Sequence, residues 1–337
     1  MRLLLAAAMT FLLSAALSAK VLPIPAEDVA PEKISWPQVR EDWGKILLKR
    51  AKENVSVATS LDDWDRVANF ATELRARSLF LQENKNLGAE DAAAILASCR
   101  TLIETILAWE ASGELVKQSG FLKDPGARGW GISKPGSMMG VSANNIVELY
   151  LTSTTLLALS EALPLTSKMD EAFRTKVLTV MSEVVDYWIK TYLEESPVYG
   201  PYFLKYGMPG ERIRELLVFN TSAQMGASLW LFAKELKTSS LASKALGYGA
   251  LSIKLGKQIK LGVLDEIRKG GAVDVDRWVY GLDKAKASPV PQRGEDANHG
   301  SYILDLIRHF IDDKAVEGGR PIFQNSDLAF FRDILRD

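Results

Sequence analysis

The chain has 337 residues, of which 47% are hydrophobic, and this is enough apolar material for one large buried core. Its 41 Lys and Arg residues nearly balance its 42 Asp and Glu residues, and the formal net charge of −1 excludes a generally basic surface for nucleic acid. A single cysteine excludes an internal disulfide, so stability must come from packing.

The first 19 residues are typical of a secretory signal peptide. They contain one basic residue, a short apolar core and small residues near Ala16 to Ala19. The apolar run is too short to span a bilayer, so no membrane association is expected after cleavage. We therefore predict a secreted protein, extracellular or periplasmic, in which residues 20–36 form a Pro-rich lead and residues 37–337 form a single domain.

Most of the remaining chain carries apolar residues at helical spacing, and strand signals are scarce. This pattern predicts an all-α protein with long helices. The predicted helices are Pro37–Glu53, Leu61–Glu83, Ala89–Ser112, Ser142–Leu163, Lys168–Glu194, Arg212–Leu236, Leu241–Arg268, Ala297–Lys314 and Asp327–Leu335.

Three long connections, residues 123–141, 195–211 and 269–296, are rich in Gly, Pro and aromatic residues. Loops of this length in a compact domain usually have a function. Because they follow pairs of helices, we predict antiparallel helical hairpins arranged around an axis, with the loops forming a cleft at one end. The alternating segment Val273–Tyr280 predicts a short strand at the rim of this cleft.

The last of these connections leads into the stretch of residues 293–302, which is dense in chemically active side chains. If Asp296 or Asn298 caps the following helix, His299 lies on its inward face, where Arg293 and Glu295 can tune its pKa. This arrangement would suit acid and base chemistry near neutral pH. The alternative interpretation is a histidine that only caps the helix or fills the core.

Two asparagines are candidate ligands for substrate. Asn145 opens one predicted helix, and Asn220 is flanked by small residues that would leave room for a ligand on an inward wall. The alternative is a helix cap or close helix packing. Asn54 and Asn220 also lie in glycosylation sequons, and glycosylation of Asn220 would exclude a role inside a cleft.

Aromatic and basic side chains recur together in the three long connections. Aromatic rings can stack on sugar rings, and Arg side chains can bind carboxylates through two hydrogen bonds. Any single ring can instead close a small apolar core within its loop. The predicted substrate-binding residues are Asn145, Arg293, Glu295, Trp278, Trp130, Tyr202 and Arg277.

Several other chemistries lack their residue patterns. The chain has no HExxH sequence and no cluster of Cys and His at metal-ligand spacing, so we expect no metal and no cofactor. Cys99 lies within an apolar helical pattern, which favours a structural role over that of a nucleophile.

The helical pattern, the sequence Arg277-Trp-x-Tyr280 and the sequence Arg-Gly-Glu-Asp-x-x-His-Gly-x-Tyr of residues 293–302 resemble exported α/α-toroid polysaccharide lyases. The resemblance is to enzymes that act on uronic-acid polymers such as alginate or glucuronan. It implies an incomplete α/α toroid and cleavage by β-elimination without a metal. The implied roles are His299 as base, Tyr280 or Tyr302 as proton donor, Asn145 and Asn220 as groups that neutralise the uronate carboxylate, and Arg293 as a carboxylate clamp.

Two alternatives remain open at this point. The first is a glycoside hydrolase on the same scaffold, using Glu295 or Asp296 with a second carboxylate such as Asp276 or Glu211. The second is a secreted protein that binds glycans without cleaving them. In each case the expected partner is a polysaccharide, acidic in the lyase interpretation, and the expected state is a monomer.

Overall fold

The computed structural model describes residues 36–53, 64, 66–113, 116–117, 122, 124–132, 145–197, 199–204, 216–265, 281–283, 288–289 and 297–334. Within these ranges the chain is mostly helical, as predicted, and each predicted helix has a counterpart. The α-helices are α1 (Trp36–Lys52), α2 (Val67–Glu83), α3 (Ala89–Ala108), α4 (Leu149–Thr166), α5 (Glu171–Tyr192), α6 (Phe219–Leu236), α7 (Ala242–Ile259), α8 (Ala297–Asp312) and α9 (Asn325–Ile334). A π-helical turn, Lys260–Asp265, continues α7.

Short antiparallel strands connect the helices. They are β1 (Gly131–Ile132), β2 (Ile146–Val147), β3 (Leu193–Ser196), β4 (Gly200–Phe203), β5 (Leu216–Val218), β6 (Gly281–Asp283), β7 (Ser288–Pro289), β8 (Val316–Glu317) and β9 (Arg320–Pro321). The pairs are β1 with β2, β3 with β4, and β8 with β9, while β5, β6 and β7 form one three-stranded sheet. Strand β2 ends just before α4 and strand β5 just before α6, whereas β3 directly follows α5.

Helices α4, α6 and α8 run parallel to one another, because residues further along one helix contact residues further along the next. The contacts are Ser153 with Gln224 and Ser160 with Ser228 between α4 and α6, and Gly226 with Leu306 and Trp230 with Phe310 between α6 and α8. Helix α2 has the same direction as α4, since Thr72 and Thr154 share one cavity and Leu81 and Leu165 share a groove further along. The first residues of these four helices therefore lie at one end of the protein.

The odd-numbered helices α5 and α7 return the chain in the opposite direction. Arg174 at the start of α5 donates a hydrogen bond to the carbonyl oxygen of Leu163 at the end of α4 (3.0 Å). Tyr248, in the first half of α7, stacks on Phe232 near the end of α6. Gly262, which follows α7, lies against Phe219 at the start of α6. Helices α4 and α6 are thus each half of an antiparallel hairpin.

Helix α4 is buried on nearly every side, as expected for a helix whose apolar and small polar residues are spread around its whole circumference. Helix α6 is equally enclosed along its first eleven residues, Phe219 to Leu229. The largest buried side chains of the core include Trp64, Trp109, Trp130 and Trp188. The core is therefore centred on α4 and α6.

Two helix starts were predicted seven residues too early. Helix α4 begins at Leu149 rather than Ser142, because Ile146 and Val147 pair with β1 and Glu148 accepts a hydrogen bond from the amide of Leu151. Helix α6 begins at Phe219 rather than Arg212, because residues 216–218 pair with residues 281–283. Partners distant in the chain determine both boundaries.

The helices that the structure describes do not include one whose length and hydropathy suit a membrane crossing. The predicted signal peptide and most of the Pro-rich lead lie outside the described residues.

Candidate functional site

Several segments that carry predicted site residues come together at the end where α2, α4, α6 and α8 begin. Asn145 precedes α4 by four residues, Asn220 is the second residue of α6, and His299 is the third residue of α8. The pairing of Val218 with Gly281 also brings the residue after Tyr280 beside the start of α6. The side chain of His299 is outside the described part of the structure.

Tyr302 on α8 and Tyr150 on α4 form a hydroxyl pair, which we call the tyrosine pair. Their hydroxyl oxygens are 2.9 Å apart and their ring centroids 5.9 Å apart. Tyr302 is only 2% exposed, and its burial, with a smaller effect of Tyr150, raises its pKa well above the usual range for a phenol. Tyr302 therefore keeps its proton at neutral pH.

Four charged or titratable side chains lie along α2, α4 and α8 below the tyrosine pair, and we call them the buried charge cluster: Arg75, Glu161, Asp305 and His309. Arg75 donates from Nε and Nη2 to the two carboxylate oxygens of Glu161 at 2.5 and 2.9 Å. Its Nη1 lies 2.8 Å from Oδ2 of Asp305. His309 Nε2 lies 3.3 Å from Oε1 of Glu161. One guanidinium thus joins three inner helices.

Opposite charges dominate the electrostatics of this cluster. Burial alone would raise the pKa of the Glu161 carboxyl, but Arg75 and His309 outweigh burial and lower it. Burial alone would lower the pKa of Arg75, but Asp305 and Glu161 hold it well above its usual value. Both groups of this pair are therefore charged at neutral pH.

A small cavity separates the tyrosine pair from the buried charge cluster. Its volume is about 10 Å³, and Arg75, Gln224, Thr154 and Tyr302 line its polar side. This space suits about one water molecule and is far too small for a sugar ring. A polymeric substrate would therefore have to lie outside this cavity, beyond the starts of the helices.

The two candidate asparagines have different surroundings. Asn145 is half-buried, and its φ of 58° is a left-handed conformation that Asn tolerates better than most residues. Its backbone N–H donates to the Ile132 carbonyl oxygen at 2.7 Å. Asn220 is fully buried, and its Oδ1 accepts from the amide of Thr221 at 2.6 Å. The Asn220 sequon is therefore inaccessible in the folded chain.

Trp130 and Tyr202 are core residues in the structure. Trp130 is 0% exposed and Tyr202 is 1% exposed, and the indole nitrogen of Trp130 donates to the Ile106 carbonyl oxygen at 2.8 Å. Neither ring has a face open to solvent, so their positions do not support the expectation that they stack on a sugar. They match the alternative in which loop aromatics close the core.

The other predicted site residues lie outside the described residues, and so does the predicted strand at residues 273–280. They are Tyr280, Trp278, Arg277, Arg293 and Glu295, together with Asp276, Asp296 and Glu211 of the hydrolase interpretation.

Sequence reasoning missed the buried charge cluster and Tyr150. A signal was present, because Glu161 and Arg75 interrupt helical segments whose other residues at the same spacing are buried. A charge at a core position needs a partner of opposite charge. The sequence shows the charges, but it does not show which of them meet.

Cys99 is expected to be unreactive in the folded protein. It is fully buried on α3, and burial raises the pKa of its thiol to about 12. Native protein treated with a chromogenic disulfide reagent at pH 8 should release almost no thiolate within minutes, whereas protein in denaturant should release one equivalent. Fast reaction of the native protein would contradict this placement.

Among the described residues, no group of three or more His, Cys, Asp and Glu side chains is arranged to hold a metal ion. Comparison with protein-family models and with curated protein sequences finds no match to this chain. The function is therefore inferred from the residues and their geometry.

Proposed function

We propose that this protein is a secreted lyase that cleaves a uronic-acid polysaccharide by β-elimination, on a scaffold that forms an incomplete α/α toroid. The scaffold proposal is supported by the four parallel helices α2, α4, α6 and α8, of which α4 and α6 are each half of an antiparallel hairpin. Such helices would form the inner wall of a toroid, with their first residues at the substrate end.

The observation that carries the proposal is the tyrosine pair at the end of the protein where the segments holding Asn145, Asn220 and His299 begin. In β-elimination the uronate carboxylate is neutralised, a base removes the proton at C5, and an acid protonates the departing oxygen. We assign the acid to the tyrosine pair, in which half-buried Tyr150 would donate to the departing oxygen and take a proton from Tyr302, to which it is hydrogen-bonded. His299 would then be the base.

The group that neutralises the carboxylate is assigned to Asn145 and Arg293. Asn145 is half-buried and precedes the helix that carries Tyr150 by four residues. Because Asn220 is fully buried and bonded to its own neighbour, we assign it to positioning the start of α6 rather than to contact with substrate. No metal or cofactor takes part, and a monomer is sufficient.

The test is incubation of the purified full chain with a panel of acidic and neutral polysaccharides. Elimination produces an unsaturated uronate that absorbs in the near ultraviolet, whereas hydrolysis produces reducing ends without a new chromophore. Reducing ends alone would replace the proposal with a hydrolase, and binding without products would replace it with a glycan-binding protein.

Two variants test the assigned roles. Tyr302→Phe and His299→Ala are each expected to lower kcat by roughly 100-fold or more, the usual contribution of general acid and base catalysis. Tyr248→Phe is the matched control, because Tyr248 is also buried, has a raised pKa and donates to Asp186 at 2.6 Å, but lies on α7. Full activity in Tyr302→Phe would remove the tyrosine pair from the mechanism.

A further inference from the structure

A second concave surface lies where α2 and α4 end, and the turns that follow these two helices flank it. We call it the lysine groove, and the residues that line it include Lys85, Lys168, Leu81, Leu87, Pro164 and Leu165. Helices of this length extend about 26 Å. The groove is therefore remote from the candidate catalytic end and does not depend on the proposed function.

The lysine groove has an unbalanced positive charge. Lys85 and Lys168 both line it and are exposed, and no Asp or Glu is among the described residues that line it. In the described part of the chain neither ammonium group forms an ion pair, unlike Lys52 nearby, which pairs with Asp91 at 2.8 Å. An anionic ligand could therefore pair with these two lysines without first displacing an Asp or Glu side chain of the described residues.

Two amide side chains, Gln82 and Asn84, also line the groove, and the rest of its wall is aliphatic. Leu165 is 1% exposed, while Leu81 and Leu87 are partly buried against the core and Pro164 is exposed. No aromatic ring is among the described lining residues, so a sugar ring would find no flat face to stack on. The wall instead suits a hydrocarbon chain.

We propose that the lysine groove binds an amphiphilic carboxylate, with its hydrocarbon chain along the leucines and its carboxylate between the two ammonium groups. The groove has a volume of about 500 Å³, within the usual range for small-molecule sites. The apolar wall supplies affinity through burial of the chain, and the lysines select an anionic head group.

The probe is decanoate, titrated below its micelle concentration into the full chain and followed by calorimetry at low ionic strength. We expect saturable binding to one site that weakens as salt is added. Replacing both lysines in Lys85→Gln/Lys168→Gln should weaken binding about tenfold, since an exposed charge pair changes affinity a few-fold. The matched control is Lys237→Gln/Lys254→Gln, which removes two exposed lysines elsewhere and should leave binding unchanged.

A third variant and two ligands complete the test. Ala92→Trp should abolish binding by filling the groove, with an unchanged melting temperature as evidence of folding. Decanol, which lacks the charge, should bind at least tenfold more weakly than decanoate. The proposal is overturned if decanoate does not saturate one site, if the double lysine variant binds it as the parent does, or if oligouronates bind there in preference to it. None of these results bears on lyase activity.

Discussion

Replacement of Glu161 by Ala should lower the free energy of unfolding by about 3–5 kcal/mol, the usual cost of breaking a buried ion pair from one side. The Glu161 side chain is 2% exposed and accepts two hydrogen bonds from Arg75, whose own side chain is 11% exposed. Without Glu161, the Arg75 guanidinium keeps its contact with Asp305 but loses its second carboxylate partner. Water cannot fully replace that partner because the guanidinium is buried. The measurement is urea unfolding followed by circular dichroism at pH 7.

Glu183→Ala is the matched control for this experiment. Glu183 also pairs with an arginine that has a second carboxylate partner, since Arg128 contacts Glu183 at 2.6 Å and Glu110 at 3.0 Å. The Glu183 side chain is 50% exposed, so its loss should cost less than about 1 kcal/mol. Equal costs for the two variants would show that burial of the Glu161 pair contributes little.

The same carboxylate makes stability depend on pH. Because the folded state lowers the pKa of Glu161, its charge contributes stability above the unfolded value of about 4.3, and this contribution is lost as pH falls through the lower folded value. The difference in stability between the parent and Glu161→Gln should therefore be largest near neutral pH and shrink below about pH 4. A difference that does not change with pH would contradict the charged state of Glu161.

The sequence predicts the helices well because each depends on a local repeat of apolar residues. Helix α5 illustrates this, since Asp170 caps it by accepting from the amide of Phe173 at 2.6 Å, a signal that lies within three residues. The starts of α4 and α6 were misplaced because the strands before them pair with residues far away in the chain. Local periodicity contains no information about such partners.

The candidate site shows the same division between local and distant information. The spacing of His299 and Tyr302 at the start of α8 is readable from the sequence. The position of Asn145 is not, because the sequence pattern places it within a helix that starts at Ser142, whereas it precedes α4 by four residues. The partner of Tyr302 is Tyr150, 152 residues earlier, and the two meet only because α4 and α8 run in the same direction. Arg75 likewise meets Glu161 and Asp305 through the packing of three helices.

The buried charge cluster also bears on how a site at this end would be held in place. Arg75 links α2, α4 and α8, and Tyr302 is one turn from Asp305 on α8. Loss of the cluster should therefore loosen the relative positions of Tyr150 and Tyr302 as well as lower stability. A Glu161→Ala protein that remains folded at low temperature should have a reduced kcat in the proposed lyase assay.

Replacement of Trp130 by Ala should also cost about 3–5 kcal/mol, the usual range for removing a fully buried aromatic side chain. The change would leave a large cavity and remove the hydrogen bond to the Ile106 carbonyl oxygen. The main chain of Trp130 adds to this, because its carbonyl oxygen accepts from the amide of Glu148, the residue that caps α4. Loss of packing at Trp130 should thus disturb the start of α4.

Trp230→Ala is the control for that change, because Trp230 is only partly buried and its indole nitrogen donates to Asp313. Its cost should be about half that of Trp130→Ala or less. If Trp130 instead stacked on a sugar ring, Trp130→Ala would keep its unfolding midpoint and raise KM for the polysaccharide. A lowered midpoint with an unchanged KM, measured well below that midpoint, is the result that its burial in the core requires.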